Sequence, residues 1–211
     1  MLKKIAIPFA VLCLTSTAAF ADSMLPYLGG EIGYDTGKWR LKDVTSVKTT
    51  FNSNGALGGL FAGLSWCLAP RFVVNAELFG NYSSTSTSNY TINTTGGGTF
   101  QASLRMKYSY GGSLMPGVKP VDAALIYLRA GIIRSEFDLN QAVPPVGAGS
   151  VWSKNNVGGG QFGVGIQGDV GQNWGVRGEY DYVTYNSFTA FGNTISAHDN
   201  QFKVGVLYNF Y

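Results

Sequence analysis

Apolar residues alternate with small or polar residues along eight stretches of the chain. The last stretch, residues 199–211, shows the pattern most clearly, because Val204 and Val206 alternate with Lys203 and Gly205. A period of two indicates a β-strand with one apolar and one polar face, and no convincing helical period follows the N-terminal segment. The predicted strands are residues 25–34, 56–67, 71–83, 99–110, 122–136, 157–170, 174–186 and 199–211.

The connections between these strands alternate between long and short segments. The long connections are rich in Ser, Thr, Asn and Gly, a composition typical of loops. The alternation predicts an up-and-down antiparallel sheet, with long loops at one end and short turns at the other. The long connections are residues 35–55, 84–98, 138–156 and 187–198, and the short ones are residues 67–70, 111–121 and 171–173.

Two features favour a membrane barrel over a soluble sandwich. Charged residues lie in the middle of the predicted polar faces, whereas large aromatic residues lie near the ends of the apolar faces, as at a membrane interface. The predicted strands have about 10–14 residues, which suits a tilted crossing of the hydrocarbon layer. Because lipid offers no partner to backbone polar groups, the sheet must close. The sequence therefore predicts an all-β fold, an eight-stranded antiparallel up-and-down transmembrane β-barrel.

The polar faces of the predicted strands would form the interior of this barrel, which is only wide enough for side chains. Four acidic and five basic residues lie there, and nearly matched charges in a narrow, low-dielectric space are expected to pair. We therefore expect a plugged interior with a structural ion-pair network; a gated ion path is the alternative. The predicted network consists of Glu31, Glu77, Arg105, Lys107, Arg129, Arg177, Glu179, Asp181 and Lys203.

The first residues have the pattern of a secretory signal peptide. Lys3 and Lys4 precede an apolar run, and residues 19–21 read Ala-Phe-Ala, the small-x-small form of a cleavage site. An uncleaved anchor would need a longer apolar run, and a lipid-attachment site at Cys13 would need a small residue before it instead of leucine. The predicted division is a signal peptide at residues 1–21 and a barrel domain at residues 22–211.

Composition excludes several classes of function. The chain has 2 Cys and 1 His, too few for a disulfide scaffold or a Cys/His metal cluster. Its formal net charge of +3 is too small for a nucleic-acid-binding surface. Signal removal would leave Cys67 as the one thiol, at a predicted turn. No spaced-carboxylate calcium loop and no phosphate-binding loop is present in the sequence, so we expect no cofactor and no metal site.

A catalytic site has one weak candidate in the sequence. His198 is the sole histidine and lies near Ser196 and Asp199, so it could serve as a general base. A serine two residues from a histidine is common in a Ser-rich chain, and a solvated residue at the rim of the membrane is the favoured interpretation. A lipid-modifying transferase would also carry an amphipathic helix before the first strand, and few residues precede it here. We expect no catalytic residues.

The last third of the chain resembles a known family. Residues 158–183, GGGQFGVGIQGDVGQNWGVRGEYDYV, and residues 199–211, DNQFKVGVLYNFY, are similar to the final strands of the small outer-membrane barrels: the OmpA transmembrane domain, OmpX and the opacity proteins, of the porin family. The resemblance implies a Gram-negative outer membrane, long loops outside the cell and both termini in the periplasm. It also implies a C-terminal signal read by the barrel-assembly machinery, formed by Val204, Val206, Tyr208 and Phe210, although Tyr211 follows it here.

These observations lead to a ranked set of functional expectations. The first is a non-enzymatic surface protein with a plugged interior, surrounded by outer-membrane lipid and lipopolysaccharide, with a structural role and a candidate adhesive role. Its loops would contact host or environmental ligands, as in the opacity-like adhesins. The alternatives are a small porin or ion-diffusion channel and, less favoured, an enzyme that modifies lipid A. The loops expected to carry any ligand are residues 35–55, 84–98, 138–156 and 187–198.

Overall fold

A computed structural model describes residues 24–42, 48–87, 90–93, 99–142, 150–190 and 193–210. The predicted signal peptide lies outside these residues. Among the residues described, no helix is long and apolar enough to cross a membrane.

The described chain is built from β-strands joined by short turns. Eight long strands form the wall, and the short strands β4, β5 and β10 extend it at the end that carries the long connections. The strands are β1 (Met24–Lys42), β2 (Lys48–Ala69), β3 (Phe72–Ser83), β4 (Ser86–Thr87), β5 (Tyr90–Asn93), β6 (Thr99–Val121), β7 (Ala124–Ala142), β8 (Ser150–Asp169), β9 (Trp174–Tyr185), β10 (Phe188–Ala190) and β11 (Asn193–Asn209).

Each long strand pairs antiparallel with the next, and the last strand returns to the first. The β1–β11 ladder runs from Tyr27 opposite Asn209 to Lys42 opposite Thr194, while β1 also pairs with β2 along its whole length. The sheet therefore has no long open edge, which satisfies the requirement that a membrane-spanning sheet close on itself. The predicted eight-stranded antiparallel up-and-down barrel is confirmed.

Several strands are longer than the alternation predicts. The segment 35–55, predicted as a loop, is largely wall, because β1 continues to Lys42 and β2 begins at Lys48. The predicted turn at 111–121 is wrong, since β6 continues to Val121 and the turn lies at Asp122 and Ala123. Most of 138–156 and 187–198 also belongs to strands. Segments rich in Ser, Thr and Asn have the composition of loops, but here they pair with neighbouring strands. The parts of the predicted loops at 43–47, 88–89, 94–98, 143–149 and 191–192 lie outside the described residues.

The outer wall is apolar between two belts of aromatic residues. Tyr180 and Phe202 contact each other in one belt, with ring centroids 5.0 Å apart, and Trp174 and Tyr208 contact each other in the other, at 5.2 Å. In β9 and β11 each belt lies near one end of a segment of about nine residues, the length that a tilted strand needs to cross the hydrocarbon layer. The apolar side of the sheet therefore faces lipid. The belt near Phe202 is called the outer belt below.

The two ends of the barrel differ in height. At the turn end, the strands stop close to the belt that contains Trp174. At the loop end, they continue past the outer belt, since β6 has 23 residues and β2 has 22. About half of such a strand suffices to cross the membrane. The wall consequently projects beyond the bilayer at the loop end.

Candidate functional site

Arg129 lies at the centre of a buried ion-pair cluster inside the barrel. It points inward from β7 and its guanidinium contacts Glu77 of β3 through one terminal nitrogen and Glu179 of β9 through the other. Its Nε donates to the hydroxyl of Ser113 at 3.0 Å. The side chains of Arg129 and both carboxylates are fully buried. One cation thus links strands on opposite sides of the barrel.

Arg177 forms the second bridge of the cluster. From β9 it donates to Glu31 at 2.7 Å and to Glu77 at 2.6 Å, so Glu77 is shared between two arginines. Its guanidinium carbon also lies 3.5 Å from the ring centroid of Phe61. An arginine stacked on an aromatic ring and paired in two directions is held in a single orientation.

Lys203 supplies the third buried cation. Its Nζ lies 2.7 Å from Glu179, 2.6 Å from Asp181 and 3.5 Å from Glu31. Asp181 also accepts a hydrogen bond from the side-chain amide of Gln161 at 2.7 Å. The three cations and four carboxylates of the cluster therefore form one connected network, and no charged member is left without an ionic partner.

Two tyrosines brace the network in the same way on two parts of the wall. Tyr27 of β1 reaches across Gly63 of β2 and donates to Glu77 of β3 at 3.1 Å. Tyr127 of β7 makes the equivalent contact, across β8, with Glu179 of β9 at 2.8 Å. A Cβ on Gly63 would overlap the ring of Tyr27, so the middle strand must lack a side chain for the tyrosine to pass. Gly165 of β8 leaves the same space for Tyr127, so this packing explains two of the many glycines.

Apolar layers close the interior on both sides of the network. At the turn end the buried residues are Val73, Met115, Leu125 and Leu207. At the loop end Phe137 packs edge-on against Trp39 and Tyr185, with centroids 5.5 Å and 5.2 Å apart. The network and its two apolar layers therefore fill the interior within the part of the chain that the structure describes, and they separate the two mouths of the barrel.

The predicted network residues divide into two groups. Seven of them point inward and belong to the cluster: Glu31, Glu77, Arg129, Arg177, Glu179, Asp181 and Lys203. Lys107 is partly exposed and lies nearer the loop end, where its Nζ contacts Asp138 at 2.6 Å.

Arg105 is exposed on the outside, so its placement in the interior was wrong. The cause is a register shift in the β6–β7 ladder between Met106 and Ser109. This irregularity reverses the inward and outward positions, which buries Met106 and turns Arg105 outward.

Sequence reasoning missed three buried carboxylates near the loop end. Asp35, Asp138 and Asp199 are buried, which brings the buried acids to seven against three buried bases among the described residues. The expected near balance of charge is therefore wrong. The period of two predicts that Asp199 points inward, because it lies four residues from Lys203 on the same face of β11. Asp35 likewise continues the inward series of Glu31 along β1, but the segment that it begins has the composition of a loop.

The histidine candidate is separated from its proposed partners. His198 lies on the outward side of β11, where its ring stacks on Tyr182 and its Nδ1 lies 3.2 Å from the Tyr182 hydroxyl. Ser196 shares a hydrogen bond of 2.8 Å with Ser187. Asp199 points inward, to the opposite face of the sheet. The structure does not join these three side chains into a nucleophile–base pair.

The residues of the predicted assembly signal lie on the outer wall. Val204, Val206 and Phe210 are exposed, and Tyr208 is partly covered by the rings of Trp174 and Phe210. Their outward alternation with Lys203 gives β11 a lipid-facing side and a lumen side.

The other predicted features have equally plain positions. Cys67 is exposed on β2, close to the turn at Pro70 and Arg71. Among the described residues, no group of three or more His, Cys, Asp or Glu side chains is arranged to hold a metal ion.

Comparison with known proteins places this architecture in a family. The model of the outer membrane protein beta-barrel domain matches residues 7–210. No curated protein matches the chain by sequence. The outer membrane protease OmpT of Escherichia coli has a similar structure, with a TM-score of 0.55, 9% identity, and 88% of this chain and 97% of that chain covered.

Two further structures also align along most of their length. Neisserial surface protein A gives a TM-score of 0.46 with 15% identity, covering 86% of this chain and 97% of its own. Ail, the attachment invasion locus protein of Yersinia pestis, gives 0.43 with 12% identity, covering 87% and 98%. A closed, lipid-facing barrel that matches the domain model over nearly its whole length belongs to the outer membrane protein β-barrel family, and its location is the Gram-negative outer membrane.

Proposed function

We propose that the protein is a non-enzymatic, non-conducting surface barrel, whose plugged interior is structural and whose binding function lies at the loop end. The observation that carries this proposal is the filled interior. Arg129, Arg177 and Lys203 bridge the lumen between two apolar layers, and each is tied to at least two carboxylates. Ions would have to displace buried, ion-paired groups to pass, which is energetically expensive.

The projecting wall supports a role at the cell surface. Strands that continue beyond the outer belt present paired backbone and polar side chains to the outside, as a rigid base for the connecting segments. Binding residues are often placed on loops that a rigid scaffold positions. We assign the contact with a host or environmental ligand to this end, including the segments at 94–98 and 143–149.

Conductance in planar bilayers tests the plugged interior. The purified full chain is expected to give no discrete, stable openings, because the network separates the two mouths. Arg129→Ala provides the comparison, since it removes one bridge across the lumen and takes this cation away from Glu77 and Glu179. Stable openings in the unaltered protein would favour the diffusion channel and overturn the proposal.

Two further measurements test the surface role and the absence of catalysis. Replacing residues 143–149, Val-Pro-Pro-Val-Gly-Ala-Gly, with a Gly-Ser segment of equal length should lower binding of expressing cells to host-cell or matrix surfaces while the amount of folded barrel is unchanged. Unaltered binding would contradict the adhesive role. Mass spectrometry of lipid A with and without expression should show identical acyl chains, and a difference would indicate an enzyme.

A further inference from the structure

Two buried carboxylates at the loop end have no cation beside them. Asp35 and Asp199 are both 0% exposed, and neither forms an ion pair with any described residue. Asp138, at the same end, is paired with Lys107. The nearest inward base along β11 is Lys203, which is already engaged by three carboxylates of the central network. A buried negative charge without a partner is strongly unfavourable.

The two carboxyl groups lie on adjacent strands, close enough for their charges to interact. Asp35 of β1 is opposite Gln201 of β11, and Asp199 is opposite Gly37, one inward position further along. Because Gly37 lacks a side chain, both Asp199 Oδ1 and the hydroxyl of Ser53 occupy the space that a Cβ there would fill. Strand pairing and this glycine thus bring oxygens from β1, β2 and β11 together.

Each carboxyl group has one oxygen that accepts a hydrogen bond and one that accepts none, and Thr85 is a further polar neighbour of Asp35. Asp199 Oδ1 accepts from the indole Nε1 of Trp39 at 3.0 Å, and Asp35 Oδ2 accepts from the side-chain amide of Gln201 at 3.4 Å. Asp35 Oδ1, Asp199 Oδ2, the Ser53 hydroxyl and the Gln201 amide oxygen are buried without a hydrogen-bond partner. These four side chains form the Asp35–Asp199 pocket, a buried group of oxygens that includes two carboxyl groups.

We propose that the Asp35–Asp199 pocket binds one calcium ion. Calcium prefers carboxylate, carbonyl and hydroxyl oxygens and accepts irregular geometry, with water completing its coordination. Two carboxylates match its charge, and the free oxygens of Ser53 and Gln201 supply neutral ligands. This departs from the expectation that the chain has no metal site, because the ligands come from three strands and form no motif in the sequence.

The pocket lies on the loop-end side of the outer belt, directly beneath the layer formed by Trp39, Phe137 and Tyr185. Asp199 is three residues beyond Phe202 of the outer belt, toward the loop end. Bound there, calcium would link β1, β2 and β11, the strands on either side of the closure between the first and last strands.

Calcium binding is measured on the mature chain, folded in a zwitterionic detergent free of lipopolysaccharide and treated with a chelator. Isothermal titration with calcium chloride should show one site, and calcium should raise the temperature of unfolding. Terbium, used in a separate titration, should show sensitised luminescence, because the Trp39 indole touches Asp199. The Asp35→Asn, Asp199→Asn double variant should bind calcium at least about tenfold more weakly.

The control variant is Asp138→Asn, which removes a buried carboxylate at the same end that already has a cation partner. It should keep the calcium response of the unaltered protein. In chelator the double variant should be at least as stable as the unaltered protein, because it no longer buries two unpaired charges; this shows that it folds. An equal calcium response in the double variant overturns the proposal. So does stabilisation by acid alone, which would indicate a shared proton, and so does an equal response to magnesium.

Discussion

Arg129 shows how much of the interior depends on a single side chain. It connects Glu77 and Glu179, so Arg129→Ala would leave two buried carboxylates with fewer partners. We expect a loss of about 3–5 kcal/mol in the free energy of unfolding, as for other buried ion pairs broken on one side. Urea titration in lipid vesicles would measure it. Arg134→Ala, on the exposed wall, is the matched control, and equal small losses in both variants would contradict the structural role of the network.

Gly165 is a second position where one atom matters. The ring of Tyr127 occupies the space of its missing Cβ, whereas a Cβ on the outward Gly178 would meet nothing within 4 Å. Gly165→Ala should therefore displace Tyr127 from Glu179 and lower the free energy of unfolding by about 1–3 kcal/mol, the usual range for overpacking. Gly178→Ala should change it little. The same urea titration distinguishes them, and equal effects would exclude the proposed role of the missing side chain.

The central residues of the network were predictable because inward and outward side chains alternate without a break along their strands. Glu31, Arg129 and Lys203 follow the period of two, and a charge on that face of a lipid-facing strand has nowhere to go but inward. Their exact partners were not predictable, since the carboxylates that pair with Arg129 lie on strands that are not its neighbours. The Asp35–Asp199 pocket was missed for another reason: its ligands come together only through strand pairing.

At the scale of the strand, the outward face should tolerate charge only beyond the outer belt. Ile166 of β8 lies opposite Gly178, near the middle of the lipid-facing segment, whereas Asn156 lies toward the loop end of the same strand. Ile166→Arg should cost about 2–4 kcal/mol of stability in vesicles, and Asn156→Arg about 0–1 kcal/mol. The two variants share a strand and an introduced side chain.

The outcome of that comparison tests the orientation of the whole sheet. Equal losses of stability in the two variants would show that the apolar face does not lie in lipid. A larger loss for Asn156→Arg would place the membrane at the other end of the strand.

The strand β6 marks the limit of sequence reasoning at this scale. Alternation continues through residues 99–110 without a visible break, yet the pairing with β7 shifts between Met106 and Ser109. A shift of this kind depends on the register of the partner strand, so it cannot be predicted from the sequence of one strand. The extension of β1 and β2 past the predicted loop was hidden for a related reason, because polar strands above a membrane resemble loops in composition.

At the scale of the molecule, the number of strands, their order and closure followed from the sequence, because lipid permits few alternatives. The alternation could not predict how far the strands extend beyond the membrane. Neither the projecting wall nor the excess of buried acids at the loop end follows from strand count, since both depend on residues outside the lipid-facing segments.

The pairing of β1 with β11 sets a condition on biogenesis. Tyr27 pairs with Asn209, so β1 cannot pair with its second neighbour, β11, until nearly the entire polypeptide is present. During export its hydrogen-bonding edge stays open and can recruit a strand from another copy. Chains that stop before β11 would retain that edge permanently. Folding without aggregation therefore depends on keeping this edge of β1 away from other chains until β11 can pair with it.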